Sequence, residues 1–155
     1  MRTLFITGGA GFIGSNFINK YMKEYPDDKI INLDALYYSG NENNIHLEHR
    51  QSDKYKFIRG NLQNKEIIKQ IFNTYSITHI IHFAAQSHVQ TSFEDSIQYS
   101  YDNVIATHNL LEMTRLNCKT LEKFIHCSTD EVYGESNIND TIHKTETCLL
   151  CPSNP

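Results

Sequence analysis

The feature that most constrains the fold is a cluster of glycines placed directly after a short apolar run. The run LFI at positions 4–6 predicts a β-strand, and TGGAGFIG at positions 7–14 leads from it into a helical pattern. Glycines at Gly8, Gly11 and Gly14 can form a tight turn, admit a pyrophosphate to the backbone and allow close helix packing. The amide groups that open the helix then face the anionic ligand. The segment therefore predicts a dinucleotide-binding strand–loop–helix unit.

An acidic residue follows this unit at a spacing that indicates the cofactor. Asp34 lies 20 residues after Gly14, at the end of a second apolar run, IINL at positions 30–33. A carboxylate at this place accepts hydrogen bonds from the ribose hydroxyls of adenosine. It would also repel a 2′-phosphate, and no arginine follows it to compensate, so the predicted cofactor is NAD rather than NADP. The alternative is a glycine turn with an unrelated aspartate.

Short runs of β-branched residues alternate with helical patterns along the chain. Strands are predicted at 4–6, 30–34, 55–59, 79–83 and 124–127, and helices at 12–25, after an N-cap at Asn64, and at 96–117. Residues 35–54 are predicted to form a long loop with a short helix, and the chain after Glu135 to be irregular. Such alternation produces right-handed crossovers and a parallel sheet with helices on both faces. The predicted fold class is therefore α/β, a Rossmann-like doubly wound parallel sheet.

Length, charge and composition exclude several classes of protein. With 155 residues the chain corresponds to one domain, so residues 1–155 are predicted to form a single NAD(P)-binding domain. A net charge of −4 without a lysine or arginine block excludes a nucleic-acid partner. The apolar start is too short for a signal peptide or a membrane span, and four cysteines are too few for a disulfide framework. We therefore predict a cytoplasmic protein without a membrane partner.

The spacing Gly-x-x-Gly-x-x-Gly resembles that of the extended short-chain dehydrogenase/reductase family, whose members often begin with the same TGGAGFIG run. HFAAQSHV at positions 82–89 resembles the family's fourth-strand segment, and RGNL at 59–62 resembles its adenine-capping segment, with Asn61 in place of the usual Asp. The resemblance implies that NAD is bound by Gly8, Gly11, Phe12, Ile13, Gly14, Asp34, Asn61, Leu62, Phe83, Ala84, Ala85 and Asn103. It also implies that Ser87 and His88 face the substrate.

The most specific signal for a reaction is CSTDEVYG at positions 127–134. Its adjacent Thr129, Asp130 and Glu131 resemble those of the nucleotide-sugar 4,6-dehydratases that act on dTDP-glucose or UDP-glucose. The resemblance implies that Thr129 hydrogen-bonds the C4 oxygen, Asp130 protonates the departing C6 hydroxyl and Glu131 takes the C5 proton. Two carboxylates in one enclosed site have their pKa values pushed apart, so one can donate a proton while the other accepts one.

Adjacency in sequence does not by itself place both carboxylates in one pocket. Neighbouring side chains on an extended chain point in opposite directions, so a turn must redirect either Asp130 or Glu131. A capped or solvated strand end is the alternative explanation of these two acidic residues.

The family's general base is the tyrosine of a Tyr-x-x-x-Lys pair, which follows a short proline-bounded segment. PSNP at positions 152–155 resembles that segment, and no Tyr-x-x-x-Lys follows Thr129. The resemblance thus covers the whole chain but only about the first half of a family member. We expect a sheet truncated after the fifth strand, an absent C-terminal substrate domain and no turnover by the chain alone. In family members the helix at 96–117 pairs in a dimer interface, which implies a homodimer for the full-length protein.

Two other functions stay open. An NAD-dependent nucleotide-sugar 4-epimerase or decarboxylase would use Thr129 and the missing tyrosine without needing Asp130 and Glu131. A non-catalytic nucleotide-binding module is the alternative from another class of protein. No metal site is predicted, because the two cysteines of CLLC at positions 148–151 have only His143 nearby as a further ligand.

Overall fold

A computed structural model describes residues 1–136 and 143–153, and five parallel strands form its centre. The strands are β1 (Thr3–Thr7), β2 (Lys29–Asp34), β3 (Tyr55–Arg59), β4 (His79–His82) and β5 (Lys123–His126). They lie in the order β3-β2-β1-β4-β5. The chain therefore builds the sheet outward from β1 to one edge, then crosses back to add β4 and β5 on the other side. Open α/β sheets bind their ligands at the point where this direction reverses, here between β1 and β4.

Helices connect the strands. They are α1 (Phe12–Glu24), α2 (Leu47–Arg50), α3 (Lys65–Thr74), α4 (Val89–Glu94), α5 (Ser96–Tyr99) and α6 (Ala106–Asn117). A π-helical segment, Ser100–Ile105, joins α5 to α6, and 3-10 turns lie at Glu42–Asn44 and Asp130–Tyr133. Within residues 1–136 and 143–153, no helix combines the length and apolar character that crossing a membrane requires.

The helical region after β4 differs from the prediction in two respects. The predicted helix at 96–117 is continuous, but its middle part, Ser100–Ile105, is π-helical rather than α-helical. Such turns are rare and concentrate at functional sites. Helix α4 was not predicted, because its N-cap is His88 rather than one of the usual serine, threonine, aspartate or asparagine caps. Nδ1 of His88 accepts a hydrogen bond from the backbone nitrogen of Thr91 (3.3 Å).

Elsewhere the predicted elements are confirmed to within one or two residues at their ends. The long loop predicted at 35–54 contains the predicted short helix, α2, and a 3-10 turn. Asn64 caps α3 as predicted, since its side-chain oxygen accepts a hydrogen bond from the backbone nitrogen of Glu66 (3.1 Å). Strand β4 ends one residue earlier than predicted, at His82.

Apolar side chains pack against both faces of the sheet. Along β1, Leu4 and Ile6 belong to one core cluster and Phe5 to the other, as alternation along a strand requires. The face of Phe5 packs against α3 and α6, where Leu110 is fully buried. The opposite face packs against α1, where Ile18 is fully buried. Helices on both faces of a parallel sheet confirm the predicted α/β doubly wound fold.

Candidate cofactor and active site

A cleft of about 930 Å³ opens at the carboxyl ends of the strands. In the strand register Thr7 pairs with His82, and His82 pairs with His126, so β1, β4 and β5 end together at this edge of the sheet. Every residue predicted to contact cofactor or substrate, or to carry the reaction, lines the cleft. These residues are Gly8, Gly11, Phe12, Ile13, Gly14, Asp34, Asn61, Leu62, Phe83, Ala84, Ala85, Ser87, His88, Asn103, Thr129, Asp130 and Glu131.

The glycine loop has a conformation that side chains would obstruct. Gly8 has a φ of +71°, and a Cβ at this position would lie 2.5 Å from the backbone nitrogen of Ala84. A Cβ on Gly14 would collide with the carbonyl oxygen of Gly8. Helix α1 begins at Phe12, directly after Gly11, so the amide groups of its first turn lie at the cleft. Close backbone approach beside a helix N-terminus is the geometry that holds a pyrophosphate.

The carboxylate of Asp34 is held in place by the backbone. Its Oδ2 accepts a hydrogen bond from the nitrogen of Ala10 (2.9 Å), and its Oδ1 accepts one from the nitrogen of Leu36 (2.8 Å). Asp34 is buried at the end of β2 and lines the cleft. A carboxylate has about four acceptor positions, so two stay available for ligand hydroxyl groups.

A buried aspartate in the π-helical segment forms a network that was not predicted from the sequence. The carboxylate of Asp102 accepts hydrogen bonds from the side-chain amides of Gln63 (2.7 Å) and Gln98 (2.9 Å), and a longer one from that of Gln86 (3.4 Å). These amides come from three separate segments of the chain. Gln98 lies one helical turn before Asp102, but Gln63 and Gln86 lie 39 and 16 residues away, where no local signal identifies them as partners. The network joins the segments on which the cleft is built.

Tyr37 is a second cleft residue that was not predicted. Its hydroxyl accepts a hydrogen bond from Nδ2 of Asn61 (2.7 Å) and lies 3.5 Å from Oδ1 of Asp102. Burial and the charge of Asp102 raise the pKa of Tyr37 above its ordinary value, so the phenol stays protonated at neutral pH. The amide of Asn61 is thereby oriented within the segment that was predicted to cap adenine.

Asn103, also in the π-helical segment, fixes the backbone that follows β4. Its Oδ1 accepts a hydrogen bond from the nitrogen of Gln86 (2.8 Å), and its Nδ2 donates one to the carbonyl oxygen of Gln86 (3.0 Å). This two-point contact holds the chain between Ala85 and Ser87, where the predicted cofactor and substrate segments meet. Asn103 therefore positions backbone as well as lining the cleft.

A 3-10 turn redirects the chain at the predicted catalytic residues. Thr129 is extended, and its hydroxyl accepts a hydrogen bond from the nitrogen of Glu131 (3.3 Å) as the turn Asp130–Tyr133 begins. The turn ends at Gly134, which has a φ of +74°. Both carboxylate residues consequently line the same cleft, although they are neighbours in sequence.

The predicted enclosure of the two carboxylates is wrong for the part of the chain that the structure describes. Asp130 and Glu131 are exposed. They follow β5, which is the edge strand of the sheet. The following segment returns to the turn: the nitrogen of Cys151 donates a hydrogen bond to the carbonyl oxygen of Val132 (2.9 Å). The last two residues of the predicted PSNP segment, at 154–155, lie outside the described residues.

The chain matches known proteins over almost its whole length. The profile of the family described as GDP-mannose 4,6 dehydratase matches residues 5–155. A trifunctional UDP-glucose 4,6-dehydratase/UDP-4-keto-6-deoxy-D-glucose 3,5-epimerase/UDP-4-keto-L-rhamnose-reductase of Arabidopsis thaliana is 38% identical over 99% of this chain and 23% of its own length. The chain thus spans about a quarter of that relative.

Two solved structures show the same fold. The dTDP-glucose 4,6-dehydratase of Bacillus anthracis, solved in complex with NAD, has a TM-score of 0.86 at 37% identity. The match covers 100% of this chain and 45% of the Bacillus anthracis chain. A UDP-glucose 4-epimerase structure has a TM-score of 0.81 at 32% identity, over 99% of this chain and 42% of its own. These matches agree with the resemblance to the extended short-chain dehydrogenase/reductases, and the chain belongs to the GDP-mannose 4,6 dehydratase family.

Proposed function

We propose that the chain is the NAD-binding portion of a nucleotide-sugar 4,6-dehydratase, with residues 1–155 acting as its NAD-binding domain. The observation that carries this proposal is the position of Thr129, Asp130 and Glu131 on the same cleft as the glycine loop. A dinucleotide site alone would suit many dehydrogenases. A hydroxyl and two carboxylates beside that site supply the acid and base that water elimination needs. The chain spans less than half the length of these relatives, so the activity of the whole protein is part of the proposal.

The residues of the cleft fit NAD. The approach of Gly8 to Ala84 and the collision that a Cβ on Gly14 would cause leave a bare backbone cradle for the pyrophosphate. Asp34 would accept hydrogen bonds from the adenosine ribose, and Asn61 would contact the adenine. Gly11, Phe12, Ile13, Leu62, Phe83, Ala84, Ala85 and Asn103 would complete the site. Bound NAD supplies a hydride acceptor that can also return the hydride.

The proposed substrate is a nucleotide-hexose, dTDP-glucose or UDP-glucose, and the product is its 4-keto-6-deoxy form. Thr129 would donate a hydrogen bond to the C4 oxygen while C4 is a carbonyl. Glu131 would remove the proton from C5, and Asp130 would protonate the C6 hydroxyl so that it leaves as water. The hydride lost from C4 would return at C6, and Glu131 would give its proton back to C5. The proton lost from the C4 hydroxyl makes up for the one that Asp130 donates, so the overall change is the loss of one water. Ser87 and His88 would contact the sugar nucleotide at the start of α4.

A nucleotide-sugar 4-epimerase is the second candidate, because the UDP-glucose 4-epimerase structure shares the fold over 99% of the chain. An epimerase inverts C4 and does not expel the C6 hydroxyl, so it would use Thr129 without an adjacent acid and base. The presence of Asp130 and Glu131 on the cleft favours the dehydratase.

We further propose that the protein is a cytoplasmic homodimer. Exposed apolar side chains recur at helical spacing along α5 and the π-helical segment, at Ile97, Tyr101, Val104 and Ile105. A contiguous exposed apolar surface of this kind indicates association with a partner. The net charge of −4 supports neither a nucleic-acid nor an anionic-membrane partner.

The proposed function is tested with a chimera in which residues 1–155 replace the matching part of the Bacillus anthracis enzyme. We expect the chimera to convert dTDP-glucose to a product lighter by one water, detected by mass spectrometry. Asp130→Asn and Glu131→Gln should each lower the rate by about 10²–10⁴-fold, the usual contribution of general acid–base catalysis. Glu135→Gln changes an exposed carboxylate outside the cleft and should leave the rate unchanged.

Two outcomes would contradict the proposal. A chimera that inverts C4 without losing water would support the epimerase instead. The second outcome concerns NAD binding to the protein itself, which isothermal titration calorimetry measures. This measurement does not require the chimera to fold. A folded chain that binds no NAD would overturn the cofactor site and, with it, the proposed function.

A further inference from the structure

Three potential metal ligands converge on the short helix α2, outside the cleft. His46, Glu48 and His49 each offer one ligand atom, and these three atoms lie within 4.8 Å of one another. The two imidazole rings are stacked, with centroids 5.7 Å apart and planes inclined by 14°. Nε2 of His49 lies 3.8 Å from a carboxylate oxygen of Glu48. Two ring nitrogens and a carboxylate oxygen therefore face one small volume at the surface.

The donor set identifies the class of ion. Two imidazoles and one carboxylate suit Zn²⁺ and related transition metals, whereas Mg²⁺ and Ca²⁺ prefer oxygen ligands alone. Ligand atoms on a tetrahedral zinc ion with bonds of about 2.05 Å lie about 3.3 Å apart. His46 and Glu48 are exposed, so their side chains have room to rotate and bring the ligand atoms, now within 4.8 Å of one another, closer together. Three protein ligands leave the fourth position for water.

The backbone of the cluster is already fixed. The nitrogen of His46 donates a hydrogen bond to Oδ1 of Asn19 on α1 (2.9 Å), and the carbonyl oxygen of His46 accepts one from the nitrogen of His49 (3.0 Å). The His49 side chain is only 13% exposed. An ion would thus need to order mainly the other two side chains, which lowers the entropy cost of binding. The neighbouring guanidinium of Arg50 donates to Oδ1 of Asn43 (2.9 Å).

The segment that carries the cluster is attached to the glycine loop. The backbone nitrogen of Asn41 and Nδ2 of Asn44 both donate hydrogen bonds to the carbonyl oxygen of Ala10 (3.0 and 2.9 Å). Nδ2 of Asn19 in turn donates one to the carbonyl oxygen of Asn44 (2.9 Å). An ion bound across α2 would restrain the far end of this segment, residues 41–50, while Ala10 restrains its near end.

We propose that His46, Glu48 and His49 bind a divalent transition-metal ion of the zinc class, which fastens residues 41–50 beside the glycine loop. The ion has a structural role and takes no part in the chemistry of the cleft. The site is independent of the proposed enzymatic function, because its ligands and its attachment to Ala10 stand whether or not the protein acts on a nucleotide sugar.

Calorimetric titration of the chelator-treated protein with Zn²⁺ alone tests the site. We expect one ion per chain. His46→Gln and His49→Gln should each weaken binding by at least about tenfold, since even changes beyond the ligands cost that much. Two control variants should keep the affinity of the unmodified protein. His108→Gln removes an exposed histidine from α6, and Cys148→Ser removes a thiol that could hold zinc elsewhere.

Circular dichroism confirms that each variant is folded, so a loss of binding is not a loss of structure. Stoichiometric binding that survives in the His46→Gln/His49→Gln double variant, or that is lost in Cys148→Ser, would place the ion elsewhere and overturn the proposal. Absence of binding to the unmodified protein would overturn it as well. Amide hydrogen exchange at residues 41–50 should slow when Zn²⁺ is added, and only if both histidines are present; unchanged exchange would contradict the fastening role.

Discussion

Nδ1 of His82 lies 2.6 Å from the hydroxyl of Thr7, so the last residues of two central strands are joined side chain to side chain beside the glycine loop. Nε2 of the same ring lies 2.9 Å from the hydroxyl of Thr107 on α6. Burial and, to a lesser extent, the nearby imidazole of His126 together lower the pKa of His82 to about 4. A neutral His82 therefore connects β1 and β4 to the helix that lines the cleft.

The free energy of unfolding should depend on pH through His82. An unfolded histidine titrates near about 6.5, so the unfolded state binds more protons than the folded state between that pH and about 4. The contribution of neutral His82 to the free energy of unfolding is fully present above pH of about 6.5. It declines as pH falls towards 4, by on the order of 3 kcal/mol. Urea unfolding at a series of pH values measures this decline, which His82→Gln should reduce. His108→Gln serves as the exposed control, and an unaltered pH dependence in His82→Gln would contradict the assignment.

Gly14→Ala should destabilise the protein by about 1–3 kcal/mol, because overpacking a close backbone contact forces the backbone apart. The added Cβ would collide with the carbonyl oxygen of Gly8 and lie 2.7 Å from Cα of Gly9. Gly11→Ala is the matched control, since its Cβ would meet its nearest neighbour at 3.4 Å. Thermal unfolding should separate the two variants. Equal losses in both would show that the close approach at Gly14 is not the cause.

Asp34→Asn should weaken the preference for NAD over NADP. The substitution removes the negative charge that would repel a 2′-phosphate and leaves one side-chain oxygen for the backbone nitrogens of Ala10 and Leu36. We expect the ratio of NAD to NADP affinities, measured by calorimetry, to fall by about tenfold, which corresponds to 1.4 kcal/mol. Asp53→Asn changes a largely exposed carboxylate and should leave the ratio as it is. A ratio that does not change in Asp34→Asn would contradict the ribose-binding role.

Asp102→Asn should lower the free energy of unfolding by about 2 kcal/mol, as expected when a buried hydrogen bond to a charged acceptor is lost. An asparagine amide would place its own N–H group against the amide of Gln63 or Gln98, both of which donate. Urea unfolding measures the loss. In the control Asp53→Asn, at a side chain that is 85% exposed, the change should stay within about 0.5 kcal/mol. A fully stable Asp102→Asn variant would mean that the network contributes little.

Val104→Asp should shift the protein from dimer to monomer, because a charge at the centre of an apolar interface must be desolvated. Val104 is 62% exposed and lies between Tyr101 and Ile105 on the exposed apolar face. Sedimentation velocity measures the change. Leu149→Asp provides the control, since Leu149 is also exposed but lies far along the chain from this face. An unmodified protein that sediments as a monomer would refute the proposed dimer.

The parts of the fold that were predicted correctly are those with a local physical signature. Strand β1 and the glycine loop are recognisable because the apolar run at positions 4–6 is followed within a few positions by conformationally free glycines. The N-cap at Asn64 is recognisable for the same reason, since the capping side chain and the amide that it accepts from are two residues apart. Helix α4 was missed because its cap, His88, lacks such a signature.

The sequence by itself determined the fold class, the glycine loop and the position of Asp34, because each of these follows from spacing along the chain, while the other cleft residues were implied by the resemblance to the family. Only the tertiary structure decided how the cleft is held. The hydrogen bond from Gln63 to Asp102 and the joining of Thr7 to Thr107 through His82 link segments far apart in sequence, and no local pattern records such pairings. The exposure of Asp130 and Glu131 was also decided there, because burial depends on what the rest of the fold places over a residue rather than on its neighbours in the chain.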